Sequence, residues 1–479
     1  MTQPVSLPYR PRLADHAVLR RHLVDGREQL VVHDMVREEM LEIDGRQLQI
    51  LLGCDGTRDL GGIVLAAVRS GAYHRSSELE ALLMELHERG LLADGIVADN
   101  QPTPAFPERP VEVLADFSLH CDGNGGCCSS YPAIAFLGDE MDRSRAAVPE
   151  LWTAHGLGSV EEPGQPSVAS FLPLTSSVAG SDWVVTLVDG RCPFLDEEQG
   201  CHIHRAAGAE AKPRGCQLFP ASFADDGTAV RVSVVVECPC VLASLGRQDG
   251  EPLVLAEVKR EGELPRCRIE RLPEEIAVTP EATAPRGELR SWADALCARL
   301  EGMSDGVAGC WALGAAVDEA GLSIGAAELA LEQASPPAPT ALAMRLMALA
   351  GATSGKREST AAWRSERDRA RRLSVWLDDA AQALLDPAAV AARLAEGARW
   401  LAHERFYLRA TLFGHHLWSR EQSIAQALRD RATRLLLARQ LAESVPPECQ
   451  DDAAAPYPLT AVEVMMRGHG LVGYAKGLA

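Results

Sequence analysis

The residues with the most chemistry to offer are thiols. Of 13 cysteines, eight fall in one stretch: Cys121, Cys127, Cys128, Cys192, Cys201, Cys216, Cys238 and Cys240. Three glycines lie between Cys121 and Cys127 and leave that backbone free to fold tightly, as wrapping a metal requires. Adjacent Cys127 and Cys128 are poorly placed to bridge each other but can face one centre or two neighbouring ones. Cys192-Pro193-Phe194-Leu195 precedes Gly200-Cys201-His202-Ile203-His204, and Lys212-Pro213-Arg214-Gly215-Cys216 follows. Glu237-Cys238-Pro239-Cys240 closes the Val-rich run Val230–Val236, a predicted strand. The thiols sit beside Gly or Pro, so the spacing predicts loops, where metal sites take their thiolates. Eight thiolates exceed the four of a tetrahedral zinc. Two four-thiolate sites, or one iron–sulfur cluster with auxiliary cysteines, both fit. His202 or His204 could replace a thiol. The competing reading is eight unrelated buried cysteines, which the clustering disfavours. Cys54, Cys267, Cys297, Cys310 and Cys449 stand singly and read as small packing residues.

Other motifs fail. Gly468, Gly470 and Gly473 have dinucleotide-binding spacing but no strand before them or helix after. The three-cysteine spacing of radical enzymes is missing, as are P-loop and metalloprotease signatures. His415 and His416 are adjacent, so on a helix they point about 100° apart and read as solvent and packing residues. Trp400, Phe406, Tyr407, Phe413 and Trp418 read as helix-packing core.

Elements must hold these residues. Residues 1–95 predict a small winged-helix-like domain. Strands are expected at Ala17–Val24, Gln29–His33 and Met40–Ile43, with Asp25-Gly26 as a turn. Helices are expected at Arg46–Leu52, from Thr57 as N-cap, and from a Ser77/Glu80 capping box to Gly90. A winged helix suggests DNA, but residues 1–100 carry 11 Arg against 16 Asp or Glu. Phosphate contacts need the opposite sign, whereas a peptide added as an edge strand needs no basic patch. Leu41, Asp44, Asp55-Gly56-Thr57 and Gly90-Leu91-Leu92 carry a resemblance to the PqqD-like fold. It implies a bound peptide between strand 39–44 and helix 77–90; a structural domain without ligand is the other reading.

Residues 96–112 read as a Pro-rich linker. The cysteine-cluster domain spans 113–271, and a breaker-rich stretch, Leu272–Gly287, precedes an all-α C-terminal domain at 288–479. Helices are expected there at Glu288–Met303, Ala370–Leu385, Ala388–Leu417 and Glu421–Ala442, with loops at 335–339 and Gly351–Thr360. The fold class is therefore α+β and multidomain.

The order Cys121, Cys127-Cys128, Cys192-Pro193-Phe194-Leu195, Gly200-Cys201, Lys212-Pro213-Arg214-Gly215-Cys216 and Phe219-Pro220 resembles the YkgJ-type cysteine-cluster family. Glu237-Cys238-Pro239, and more loosely Glu404–Leu408, resemble its flagellin lysine-N-methylase (FliB)-like branch. The resemblance implies zinc or an iron–sulfur cluster, 4Fe-4S in type, with S-adenosylmethionine as methyl donor to a peptide or protein lysine. Lys212 stands where that pattern has Arg, and so does Gln217. No catalytic or donor-binding residue is legible. Two functions stay open: an iron–sulfur-dependent lysine N-methyltransferase, and a non-enzymatic zinc- or iron-chelating interaction module.

Across 479 residues the formal charge is −20, against nucleic acid as partner. No apolar run is long enough to span a bilayer and the start lacks a secretory h-region, so the expectation is a cytoplasmic protein without membrane contact.

Overall fold

The computed structural model describes residues 7–95, 108–121, 134–149, 171–173, 183–195, 200–342, 379–419, 422–444 and 458–467, apart from short stretches within these ranges. Cys127, Cys128, Cys449, the Asp25-Gly26 turn, residues 96–107 of the linker, Gly351–Thr360 and most of Ala370–Leu385 lie outside them. The chain is mixed α/β and forms two compact units, each built from separated segments. The first takes residues 1–106, 128–217 and 359–369. The second takes 107–127, 218–358 and 370–479.

The first unit begins with β1 (Pro11–Leu13), β2 (Ala17–Val24), β3 (Arg27–Asp34) and β4 (Glu39–Ile43). Their alternation places Ala17, Leu19, Leu30, Val32 and Ile43 in one core. Helix α1 (Gly45–Leu52) starts from a capping box: Asp44 accepts from Gln47 N, and the Gln47 side chain accepts from Asp44 N. Helix α2 (Leu60–Arg69) starts later than Thr57 would place it. Thr57 donates its backbone N–H to Asp55 Oδ1 in a turn, and Asp59 accepts from Gly62 N instead. Helix α3 (Ser76–Glu88) begins one residue before Ser77, which therefore lies inside the first turn. Leu79, Leu82, Leu83 and Leu86 bury its expected stripe, and Gly90 follows at φ 73. β5 (Leu92–Asp94) returns to pair with β1.

The chain next contributes β6 (Val111–Val113) to the second unit, then adds β7 (Ala135–Phe136), α4 (Glu140–Ala147), β8 (Phe171–Pro173), β9 (Trp183–Val185) and β10 (Leu187–Val188) to the first. The order β10-β2-β3-β4 makes β4 the edge of its sheet among the described strands. Helices α5 (His202–Ala207) and α6 (Arg214–Leu218) follow.

The second unit is organised on β11 (Ala221–Asp225), β12 (Val230–Val234) and β13 (Glu270–Arg271), in the order β13-β11-β12-β6. Val230, Val232 and Val234 of β12 enter a large core that also takes the later helices. These are α7 (Pro239–Ala243), α8 (Arg286–Cys297), α9 (Gly306–Ala320), α10 (Ile324–Glu332), α11 (Pro387–Leu394), α12 (Gly397–Phe413), α13 (Ile424–Ser444) and α14 (Pro458–Arg467). Leu272–Gly287 is not simply a breaker: it holds the hairpin β14 (Glu275–Ala277) and β15 (Thr283–Pro285). The single helix expected at Ala388–Leu417 divides at Ala395–Glu396, and Gly397, the first residue of α12, sits against the Asp305 side chain where a Cβ would collide.

Candidate functional site

In the first unit, one turn brings two thiols together. Leu195 N donates to Cys192 O at 3.0 Å, His202 N donates to Phe194 O at 2.8 Å, and Leu195 bridges Cys201. Cys201 is the N-cap of α5, and Cys216 lies on α6. Glu140 receives the Arg214 backbone N–H at 2.9 Å, fixing the start of α6. Cys192, Cys201 and Cys216 all pack in one cluster with Phe136, Phe194 and Ile203.

In the second unit, Cys238 is the N-cap of α7, Pro239 occupies its first turn, and Cys240 follows. Both thiols are 4% exposed, whereas Cys121 is exposed. The segment before Cys121 is tied to the same helix. His120 N donates to Ser244 Oγ at 2.9 Å, and that hydroxyl donates to Cys240 O at 2.6 Å. Leu119 bridges Glu251, and a Cβ on Gly250 would strike the Leu119 backbone at 2.7 Å. So Cys121 is brought beside α7 from far along the sequence.

Four of the thiols do not simply occupy loops, as their Gly and Pro neighbours suggest: Cys201, Cys216, Cys238 and Cys240 cap or enter short helices, whereas Cys121 and Cys192 lie in loops. A helix N-terminus presents free N–H groups and favours a thiolate. Among the described residues no three His, Cys, Asp or Glu side chains converge as a metal site. The donor types suit a soft metal, but the described geometry alone does not assemble a ligand set, and Cys127 and Cys128 fall outside it. Four of the singly placed cysteines are held as thiols. Burial pushes the Cys54 thiol up to about 12 and those of Cys267 and Cys297 up to about 11, and raises Cys310 too. Protonated thiols are poor ligands, so packing accounts for these four.

The end of β12 and the turn that follows it, Val234 to Glu237, also wall a cavity of about 180 Å³, absent from the sequence reading. Tyr407 from α12, Arg431 and Arg434 from α13, and Glu463 from α14 form its polar side. Tyr407 Oη donates to Glu463 Oε1 at 2.6 Å and accepts from Arg431 Nη1 at 2.9 Å. Arg434 donates to Glu463 Oε2 and to Asp430 Oδ2, each at 2.8 Å. Burial alone would raise Glu463, but Arg434, Arg431 and Tyr407 hold its carboxyl below the ordinary value. Burial, with Glu463 adding to it, pushes the Tyr407 phenol well up, so the pair is carboxylate and neutral phenol. His416 sits at the rim with Nε2 2.8 Å from Ser222 Oγ, and burial with Arg431 lowers its imidazole to about 3. His415 is not a solvent residue either: it is buried, 3.3 Å from Asp226. The one signal available in sequence was the i, i+3 pair Arg431 and Arg434 on a helix otherwise facing core.

The fold and these features define a mixed α/β protein with helix-start thiols and a charged cavity. A stretch of 70 residues, 15% of this chain, is 33% identical to flagellar biosynthetic protein FliU of Salmonella muenchen and covers 41% of that protein. A stretch of 68 residues, 14% of the chain, is 32% identical to the lysine-N-methylases of Salmonella typhimurium and Salmonella choleraesuis and covers 17% of each. The chain thus spans less than half the length of these curated relatives. No family model and no solved structure matches it.

Proposed function

We propose that the chain is a protein-modifying enzyme similar in activity to lysine-N-methylases, with the clustered cysteines as ligands of an iron–sulfur cluster. The carrying observation is the partial identity to two lysine-N-methylases. The thiols at helix starts in both units support the ligand assignment. S-Adenosylmethionine would supply the methyl group. The acceptor must present a deprotonated amine, and a peptide could reach the protein by adding to β4, the described sheet edge, beside α3.

Anaerobic purification followed by iron, sulfide and zinc analysis tests the cluster. Brown protein with stoichiometric iron and sulfide is expected, and colourless zinc-loaded protein would sink it in favour of a chelating interaction module. Incubation with labelled S-adenosylmethionine and lysine-containing peptides, read by mass spectrometry, tests transfer. A photo-crosslinking residue at exposed Glu42 should capture the acceptor peptide; capture only from the far side of the sheet would move the docking site.

A further inference from the structure

The cavity of the second unit has more hydrogen-bond donors than its own acceptors use. Arg434 spends Nε on Asp430 and one Nη1 hydrogen on Glu463, and Nη2 has no partner among the described residues. Arg431 spends Nη1 on Tyr407 and Nη2 on the His416 carbonyl, while its Nε is buried without a partner. Of the acceptors nearby, Glu463 already receives Tyr407, Arg431 and Arg434, and Asp430 Oδ2 receives Arg434, while Asp430 Oδ1 is buried without a partner. Glu237 has an interaction of its own. The same cavity is also lined by the apolar residues Val234, Val235, Val236 and Ala410. Unspent guanidinium N–H groups want an anionic acceptor, and a carboxylate matches their planar fork. The valine wall wants carbon, which inorganic phosphate lacks.

We propose that this cavity binds a small aliphatic carboxylate, its carboxyl on Arg434 and Arg431 and its chain along the valines. The site is independent of the methylase reading, since it involves none of the clustered thiols.

Ligand-observed NMR on the purified full-length protein tests this with hexanoate, hexylammonium and inorganic phosphate as separate probes. Hexanoate should bind saturably. Arg434→Gln should weaken it about tenfold or more, the loss expected for a charge-assisted hydrogen bond. Val235→Phe, which adds bulk at a half-buried lining position without touching an ion pair, should abolish it. Should Arg434→Gln fail to fold, Val235→Phe decides alone. No hexanoate binding, binding unchanged by Val235→Phe, or equal or tighter binding of hexylammonium or phosphate overturns the assignment.

Discussion

A side chain's role here follows from whether its neighbours leave it charged. Cys310 and Cys238 are both buried in the second unit's core, yet only Cys238 begins a helix. Cys310 lies inside α9, where burial keeps its thiol protonated. Cys310→Ser should therefore cost about 1–3 kcal/mol, measured by chemical denaturation, through an unsatisfied hydroxyl, and leave the metal content unchanged. Replacing Cys238 and Cys240 with Ser should instead lower the metal retained on anaerobic purification; full retention would remove both from the ligand set. A second contrast involves Glu404, within the segment that resembles the methylase branch. It is 2% exposed and receives Arg439 through Nε at 2.7 Å and Nη2 at 2.8 Å, with Gly306 N at 3.0 Å. Arg439 also meets Asp305 at 2.9 Å. Glu404→Gln leaves a guanidinium buried with half its compensation. A loss of about 3 kcal/mol is expected on denaturation, because breaking a buried pair costs more than the pair contributes. A loss under 1 kcal/mol would mean that water or Asp305 replaces the carboxylate. Glu404 is thus the buried counter-charge of Arg439 in this fold.

Between elements, small residues decide which helices can meet. A Cβ on Gly314 of α9 would sit 3.1 Å from Arg429 Cγ and 3.2 Å from the Ala425 carbonyl of α13. Alanine would demand a shift of a few tenths of an ångström, and valine more. Gly314→Val should destabilise by about 1–3 kcal/mol through overpacking, visible as a lowered thermal midpoint. An unchanged midpoint would show that α9 and α13 slide freely. This crossing also explains what the sequence hides. The strands β2 to β4 and helix α3 are legible because one face is buried and the other is not, so their apolar residues fall at the spacing of the element. α9 is apolar on every side, GVAGCWALGAAV, and has no such period. The break between α11 and α12 is equally silent, since Ala395 and Glu396 carry no breaker signal and the Asp305 side chain that Gly397 accommodates is far away in sequence. The thiols were legible as a set from their clustering. The cavity was not, because its Tyr, two Arg and Glu come from three helices and converge only after packing.

Over the whole molecule, pH acts on stability through histidines that the two units bury neutral. Burial lowers His22 of the first unit to about 2, with Arg20 and His33 adding to the effect. In the second, burial lowers His416 to about 3 and also lowers His415, against the opposing pull of Asp226. An unfolded histidine takes up its proton near pH 6.5, and these do not while folded. Their contribution is thus fully present above pH 6.5 and declines as pH falls below it, by up to about 1.4 kcal/mol per pH unit for each. The carboxylates held low act in a separate window. Burial opposes ionisation of Asp226, but His415, backbone N–H groups and Arg290 lower its carboxyl. Its contribution persists above the ordinary carboxylate range and is lost only as pH falls through the depressed value. Denaturation between pH 8 and pH 5 therefore separates the imidazoles from Asp226. Stability should be nearly flat above pH 7 and fall steadily from pH 6.5 to 5. His416→Gln, whose amide can take the place of Nε2 toward Ser222, should flatten that fall by about one histidine's share. An equally steep fall in the variant would mean that His416 is protonated in the folded protein, and the charge balance around Arg431 would then have to be redrawn.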